Sequence, residues 1–232
     1  MKLSIVIPAH NEEESISAVI NEVESTVDMA HELIVVNDHS TDKTPLIVSE
    51  LSHKYSSVRL VNNPNEKGFA NAIRYGLSEV RNELVVPVMG DLCDDLNTLG
   101  AMRAKINEGY DVVCGSRYIK GGLRLGGFKV KGMLSAFAGW SLYYLLGIPT
   151  HDIANAFKMY RREVINSINT QAKGFEISME LPLKAYYAGF KITEVPTVWR
   201  ERKKGKSNFK IFKLLPNYLK FYFWAILKRI GI

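Results

Sequence analysis

The 232-residue chain holds only two cysteines, Cys93 and Cys114, and neither belongs to a CxxC pair or a His/Cys cluster. That excludes a disulfide framework and argues against structural zinc. A reducing cytoplasm fits this usage. No stretch of about 18 uncharged apolar residues occurs, so no ordinary transmembrane helix is expected. The opening MKLSIVIPAHNEEE has too short an apolar run for a signal peptide and lacks a cleavage site. Neither GxGxxG nor GxxxxGK[ST] is present, which removes support for a dinucleotide fold or a P-loop. Internal repeats, low-complexity tracts and linkers are missing as well.

What is present is an ordinary globular balance, 47% hydrophobic and 23% charged. The charge is unevenly spread. Residues 1–115 carry 9 Lys/Arg against 18 Asp/Glu, and residues 116–232 carry 21 against 6. A basic half of this kind faces an anionic partner, and on charge alone nucleic acid and a membrane surface both qualify.

The first half alternates buried strands with amphipathic helices. Strands are expected at Leu3–Pro8, Glu32–Asn37, Val58–Asn62, Leu84–Met89 and Asp111–Cys114. Helices are expected after Asn11, over Thr41–Tyr55 and over Lys67–Arg81. This is the pattern of βαβ units and a mainly parallel sheet. In the second half, Ser116–Gly132 is glycine-rich, basic and free of acids, and reads as a loop. Lys131–Leu146 and Phe175–Ala188 read as helices, the latter ended by Gly189, with Pro182 as a kink or first-turn residue. Lys191–Val198 reads as an edge or antiparallel strand.

Unusual polar residues gather where the strands end: Pro8-Ala9-His10-Asn11-Glu12, Asn37-Asp38-His39-Ser40, and Gly90-Asp91-Leu92-Cys93-Asp94-Asp95. Ligands of open α/β sheets bind at that rim. Singly, Asn11 and Ser40 read equally well as helix caps, and Asp94-Asp95 as a first-turn pair. Together the three loops describe a nucleotide pocket.

The segments SIVIPAHNEE, VVNDHSTDKT, NEKGFANAIRYGL, VMGD, GSRYIKGG and DIANAFKMYRREV make the chain resemble family-two glycosyltransferases of the GT-A fold. Within them it is similar to the polyprenyl-phosphate sugar transferases. The resemblance runs from about residue 3 to residue 210. It implies an α/β architecture, a Rossmann-like, mainly parallel sheet flanked by helices. It also implies an inverting transfer from an NDP-sugar, GDP-mannose or a UDP-sugar, to a lipid phosphate. By it, Pro8, Ala9, Asn11, Glu12 and Asp38 line the base and ribose site, and Lys67 and Gly68 close over the nucleotide. Asp91 is the acid of the metal motif, Arg117 reaches the phosphates, and Arg202 and Lys206 meet the acceptor phosphate. The domain would span 1–208, with a nucleotide-sugar half to 115 and an acceptor half after it.

One position departs from the family. Met89 stands where the first Asp of DxD is expected, and Cys93 holds the third contact position. Mg²⁺ and Mn²⁺ prefer oxygen, so the expected divalent metal would rest on Asp91, with Asp94 or Asp95 contributing, or bind weakly. A phosphate acceptor is already ionised and needs no strong base. A hydroxyl acceptor would need one, and Asp152 and Glu180 are the candidates, against structural readings as a helix cap and an ion-pair member. A nucleotide-sugar-binding protein without catalysis is the alternative that Met89 motivates.

Residues 209–232 read as an amphipathic helix. Lys210, Lys213, Asn217, Lys220 and Lys228 fall within an arc of roughly 80° at helical steps. The remainder is largely Phe, Leu, Ile, Tyr and Trp. Such a helix suits a membrane surface, or core packing, and Pro216 is a point where it would break. No nucleic-acid motif accompanies the basic half. The expected location is therefore cytoplasmic, peripheral at a membrane face.

Overall fold

The computed structural model describes residues 1–202 and 211–231. The first half follows the alternation read from the sequence: β1 (Leu3–Ala9), α1 (Ile16–Thr26), β2 (His31–Asn37), α2 (Thr44–Lys54), β3 (Val58–Asn62), α3 (Phe69–Ser78), β4 (Leu84–Pro87), α4 (Thr98–Asn107) and β5 (Val112–Ser116). The second half continues with β6 (Leu123–Leu125), α5 (Lys129–Leu146), β7 (Lys158–Arg161), α6 (Arg162–Ser167), α7 (Ile177–Tyr187), β8 (Ile192–Pro196), β9 (Val198–Arg200) and α8 (Ile211–Arg229).

Seven strands form one sheet in the order β3-β2-β1-β4-β7-β5-β8. Pairings among β1, β2, β3 and β4 are parallel, as is β5 with β8, while β7 runs antiparallel to both β4 and β5. Continuous apolar strands such as β1, buried at every position, are what a sheet covered on both faces requires. On one face α1, α2 and α4 supply Ile16, Ile20, Val48, Leu99 and Met102 to a buried cluster. On the other, α3, α5, α7 and α8 supply Ile73, Leu142, Leu183 and Phe221. Gly76 lets α3 lie directly on the sheet, because a methyl there would overlap Val6 and Val36.

Several expectations change. The sequence reading missed β7: its KMYR segment looks solvent-facing, yet Lys158, Met159 and Tyr160 are buried at the centre of the sheet. It missed α4 as well. The loop expected at 116–132 contains β6. The single strand expected over 191–198 divides into β8, which pairs with β5, and β9, which pairs in parallel with β6 in a separate two-stranded sheet. Pro216 does not break α8, which runs through it as one helix. Pro182 likewise lies inside α7, while Gly189, at φ 89°, follows the end of α7 as expected.

Candidate active site

The strand order reverses between β1 and β4, and beyond their carboxyl ends the three polar loops meet. Each loop turns through one left-handed non-glycine residue: Asn11 (φ 54°), His39 (φ 55°) and Leu92 (φ 59°). Such backbone is uncommon outside glycine and is kept where the surroundings enforce it. Asn11 does not cap α1, which Ser15 precedes. Its Oδ1 accepts from the Thr41 amide at 2.8 Å and its amide donates to Ser40 Oγ at 3.1 Å. Asn11 therefore fastens the first loop to the second. It does not line the cavity. Ser40 is engaged in that tie and caps nothing, since α2 begins after Lys43. Asp94 and Asp95 precede α4 by a turn and lie outside its first turn.

A cavity of about 960 Å³ opens beyond these loops. Pro8, Ala9, Glu12, Asp38, Lys67 and Gly68 line its one end, joined by Asp91 and Asp94. Asp38 is buried. Its oxygens accept from Asn63 Nδ2 at 2.8 Å and from the Gly68 amide at 3.0 Å, which draws the Lys67–Gly68 turn over the end of β2. His10, which the sequence reading did not single out, sits beside it. A carbonyl only accepts, so the 2.7 Å contact from His10 Nδ1 to Asp38 O places a proton on Nδ1.

Asp91 is half-buried. Its Oδ1 accepts from the Cys93 amide at 3.3 Å, and its Oδ2 lies 3.2 Å from Arg202 Nη2. The same Nη2 lies 3.1 Å from Glu12 Oε1. Burial opposes the Arg202 charge, but Asp91 and Glu12 outweigh it and raise the pKa. Asp94 accepts from the Met89 amide at 3.2 Å. Burial, with the charge of Asp91 second, pushes its carboxyl up to about 7. Burial, then Asp91, also drives the Cys93 thiol far above its ordinary range, so it stays protonated.

These residues are a sparse metal cradle. Among the described residues, no three His, Cys, Asp or Glu groups converge as a metal-binding set. Met89 and Cys93 line the cavity on either side of Asp91 but offer sulfur where Mg²⁺ or Mn²⁺ takes oxygen. Yet the end is rich in carboxylates, and a guanidinium is already drawn to Asp91 as a stand-in cation. Asp91 therefore suits a metal that takes its remaining ligands from donor phosphates and water.

The candidate bases lie elsewhere. Both oxygens of the buried Asp152 face Arg117, at 2.6 Å to Nε and 2.7 Å to Nη2, and Oδ2 also accepts from the Arg117 amide at 3.0 Å. Asp152 is thus neither a helix cap nor a cavity-lining base: it orients Arg117, which does line the cavity. Burial opposes the Arg117 charge, and Asp152 more than offsets that, so it stays protonated. Glu180 is also fully buried. It accepts from the Gln171 and Ala172 amides at 2.7 and 2.8 Å and pairs with Lys184 at 2.7 Å, away from the cavity. Lys206 lies outside the described residues.

The far end of the cavity was not legible. Arg124, Lys131 and Ser135 line it beside Arg117, with Ser135 Oγ 3.2 Å from Arg117 Nη2. Past them come Leu134, Phe137 and Ala138 of α5 and Leu214, Leu215 and Leu219 of α8. The resemblance had named Arg117, and for Arg124 and Lys131 the hint was the basic, acid-free composition of 116–132.

A sheet of this order, with an acidic turn after β4 facing a deep cleft, has the GT-A architecture. The chain belongs to glycosyl transferase family 2, which it matches over residues 4–168. Among curated relatives, the dolichol-phosphate mannosyltransferase of Pyrococcus furiosus is 29% identical across 97% of this chain, which spans 64% of that protein's length. The polyprenol monophosphomannose synthase of Mycolicibacterium smegmatis is 28% identical, covering 97% of this chain and 88% of that one. The dolichyl-phosphate hexose transferase of Haloferax volcanii is 30% identical over 86% and 83%. Among solved structures, glucosyl-3-phosphoglycerate synthase from Mycobacterium tuberculosis, in complex with Mn²⁺, UDP and glucosyl-3-phosphoglycerate, superposes with a TM-score of 0.73 at 22% identity. That match covers all of this chain and 80% of the other.

Proposed function

We propose that this glycosyltransferase moves a sugar, with inversion, from a nucleoside-diphosphate sugar such as GDP-mannose or a UDP-sugar onto a polyprenyl-type lipid phosphate. It would do so as a peripheral protein at the cytoplasmic face of a membrane. The observation that carries this reading is the single cavity with two unlike ends. A carboxylate-rich end at Asp38 and Asp91 suits a nucleotide, its diphosphate and a divalent cation. An aliphatic end between α5 and α8 suits a hydrocarbon chain, and Arg117, Arg124 and Lys131 stand on the cavity wall as well.

The chemistry follows from those groups. Breaking the anomeric carbon–oxygen bond leaves negative charge on the diphosphate, and fixed cations near it lower the barrier. A bound Mg²⁺ or Mn²⁺ would supply Lewis-acid stabilisation of that charge. Asp91 would hold the donor's end of the cavity, and Lys67 would close over it. Arg117, locked by Asp152, would present a preset guanidinium charge to the acceptor phosphate. A phosphate monoester is already ionised at neutral pH, so no base is required. None of the proposed carboxylate bases faces the cavity.

A stripe of exposed apolar residues along α5 (Val130, Met133, Phe137, Trp140, Tyr144 and Leu145) supports membrane contact. No described helix is long and apolar enough to cross a membrane. A hydroxyl acceptor, of the kind in the glucosyl-3-phosphoglycerate complex, is the second reading. Sugar-transfer assays offering a short polyprenyl phosphate beside 3-phosphoglycerate separate the two: product on the lipid phosphate is expected, and product on 3-phosphoglycerate alone rejects the lipid acceptor. Asp91→Ala is expected to reduce turnover more than a hundred-fold, on the order of the loss of one charge-stabilising group, with little change in Tm.

A further inference from the structure

Arg202 occupies an unexpected place. The resemblance assigns it to the acceptor phosphate, but its Nη2 is shared between Glu12 and Asp91 at the donor end of the cavity. The segment that carries it is well anchored. The Arg200 amide donates to Cys93 O at 3.0 Å, directly in the loop that bears Asp91. The Glu201 amide donates to Leu125 O at 2.9 Å, and the Gly127 amide donates to Glu201 Oε2 at 2.9 Å. Arg124 lies over the Trp199 ring, 5.0 Å from its centroid. The backbone is therefore held to the Asp91 loop on one side and to β6 on the other, and the side chain is the part able to change partners.

Resting on the donor-site reading above, we propose that Arg202 is a built-in counter-ion for Asp91, which an incoming metal–nucleotide pair must displace. Asp91 Oδ2 cannot serve both cations. A divalent ion of the Mg²⁺ kind sits about 2.1 Å from its oxygen ligand, and at that distance it would repel a guanidinium bound to the same atom. With Met89 and Cys93 beside it, Asp91 is the metal's principal protein oxygen, so the competition falls on one carboxylate. Displaced from Asp91, the guanidinium keeps Glu12 as a partner and can take a second anion on the cavity wall that Arg202 lines together with Arg117 and Lys131. Donor binding thereby adds a cation to the acceptor end. The two substrates are coupled through one side chain, in the order donor first and lipid phosphate second.

Linkage fixes the sign of the test. Calorimetric titration of Mn²⁺ in the presence of saturating GDP or UDP, on the full chain, compares the unaltered protein with Arg202→Ala and Arg202→Met. Both variants are expected to bind Mn²⁺ about five-fold more tightly, the scale of one lost partly exposed ion pair. A second titration follows farnesyl phosphate in detergent. In the unaltered protein its binding strengthens once Mn²⁺ and nucleotide are present, and in both variants that strengthening disappears. Equal or weaker Mn²⁺ binding in the variants, with nucleotide binding intact, overturns the proposal and makes Arg202 a ligand of the donor itself. Failure of the unaltered protein to bind any nucleotide removes the donor-site reading instead, a different result from the same titration.

Discussion

Lys158 shows how much of the site's rigidity rests on residues that never touch substrate. Its ammonium is fully buried and donates to Ile153 O at 2.9 Å, Ser178 O at 3.2 Å and also Asn155 O. Burial lowers its pKa. Those carbonyls belong to the turn after Asp152 and to α7, so one cation ties the partner of Arg117 to the helix behind it. Lys158→Met leaves three carbonyls without a buried donor. It is expected to destabilise the fold by about 3 kcal/mol, read from urea unfolding, and to lower turnover because Asp152 no longer holds Arg117 in register. Nothing in the sequence marked this lysine, since an isolated Lys in KMYR reads as surface until the strand is known to be central. The place of Asp91 and Asp38 at the strand-end rim was legible because strand-end loops advertise themselves by composition. Asp152 and Glu180 were read as possible bases because a sequence shows a carboxylate but not which amides and guanidinium already occupy it.

The two long helices of the second half differ in how their apolar residues are covered. The sequence reading left α8 open between a membrane surface and core packing. In the structure α8 buries Phe221 and Ala225, accepts a 2.6 Å hydrogen bond from Tyr187 Oη at Ala225 O, and donates from Tyr222 Oη to Ser141 Oγ at 3.0 Å. It is a packing helix on one face, with Leu219, Phe223 and Leu227 exposed on another. Removal of residues 211–232 is therefore expected to lower Tm and uncover Leu142 and Tyr187, and it is an unsuitable probe of membrane contact. The better probe is α5, where Gly139, Leu142 and Leu146 face inward and the opposite stripe is apolar and exposed. The sequence showed α5 as a helix but not its two apolar sides, because a helix apolar nearly all round has no moment to reveal which side is covered. Met133→Ser with Leu145→Ser, both away from the cavity, is expected to weaken partition into lipid vesicles about ten-fold. Cosedimentation measures it, and an unchanged Tm shows the fold is intact.

At the scale of the molecule, the charge division first seen in the sequence has a spatial counterpart. The acidic half builds the carboxylate-rich end of the cavity, and the basic half supplies Arg117, Arg124, Lys131 and Arg202. Binding to vesicles containing anionic lipid is expected to fall as salt rises from about 50 to 500 mM, because the Debye length shrinks below the reach of exposed lysines. The part of the binding lost in the Met133/Leu145 variant is expected to be insensitive to salt. Cosedimentation across a salt series separates the two contributions, and identical salt curves for both proteins would show that the α5 stripe contributes nothing of its own.

The antiparallel β7 also sets an order on how the protein comes into being. A ribosome releases residues 1–87 first, and β3, β2, β1 and β4 can pair as soon as they emerge. β5 emerges next but has no seat: its neighbours are β7 and β8, made some forty and eighty residues later. Until Lys158–Arg161 leaves the exit tunnel, the edges of β4 and β5 are both open, and non-local pairing of this kind is slow and prone to wrong partners. The acidic first half is thus a distinct surface but not a separable piece, and its last strand is held in place by the half that comes after it.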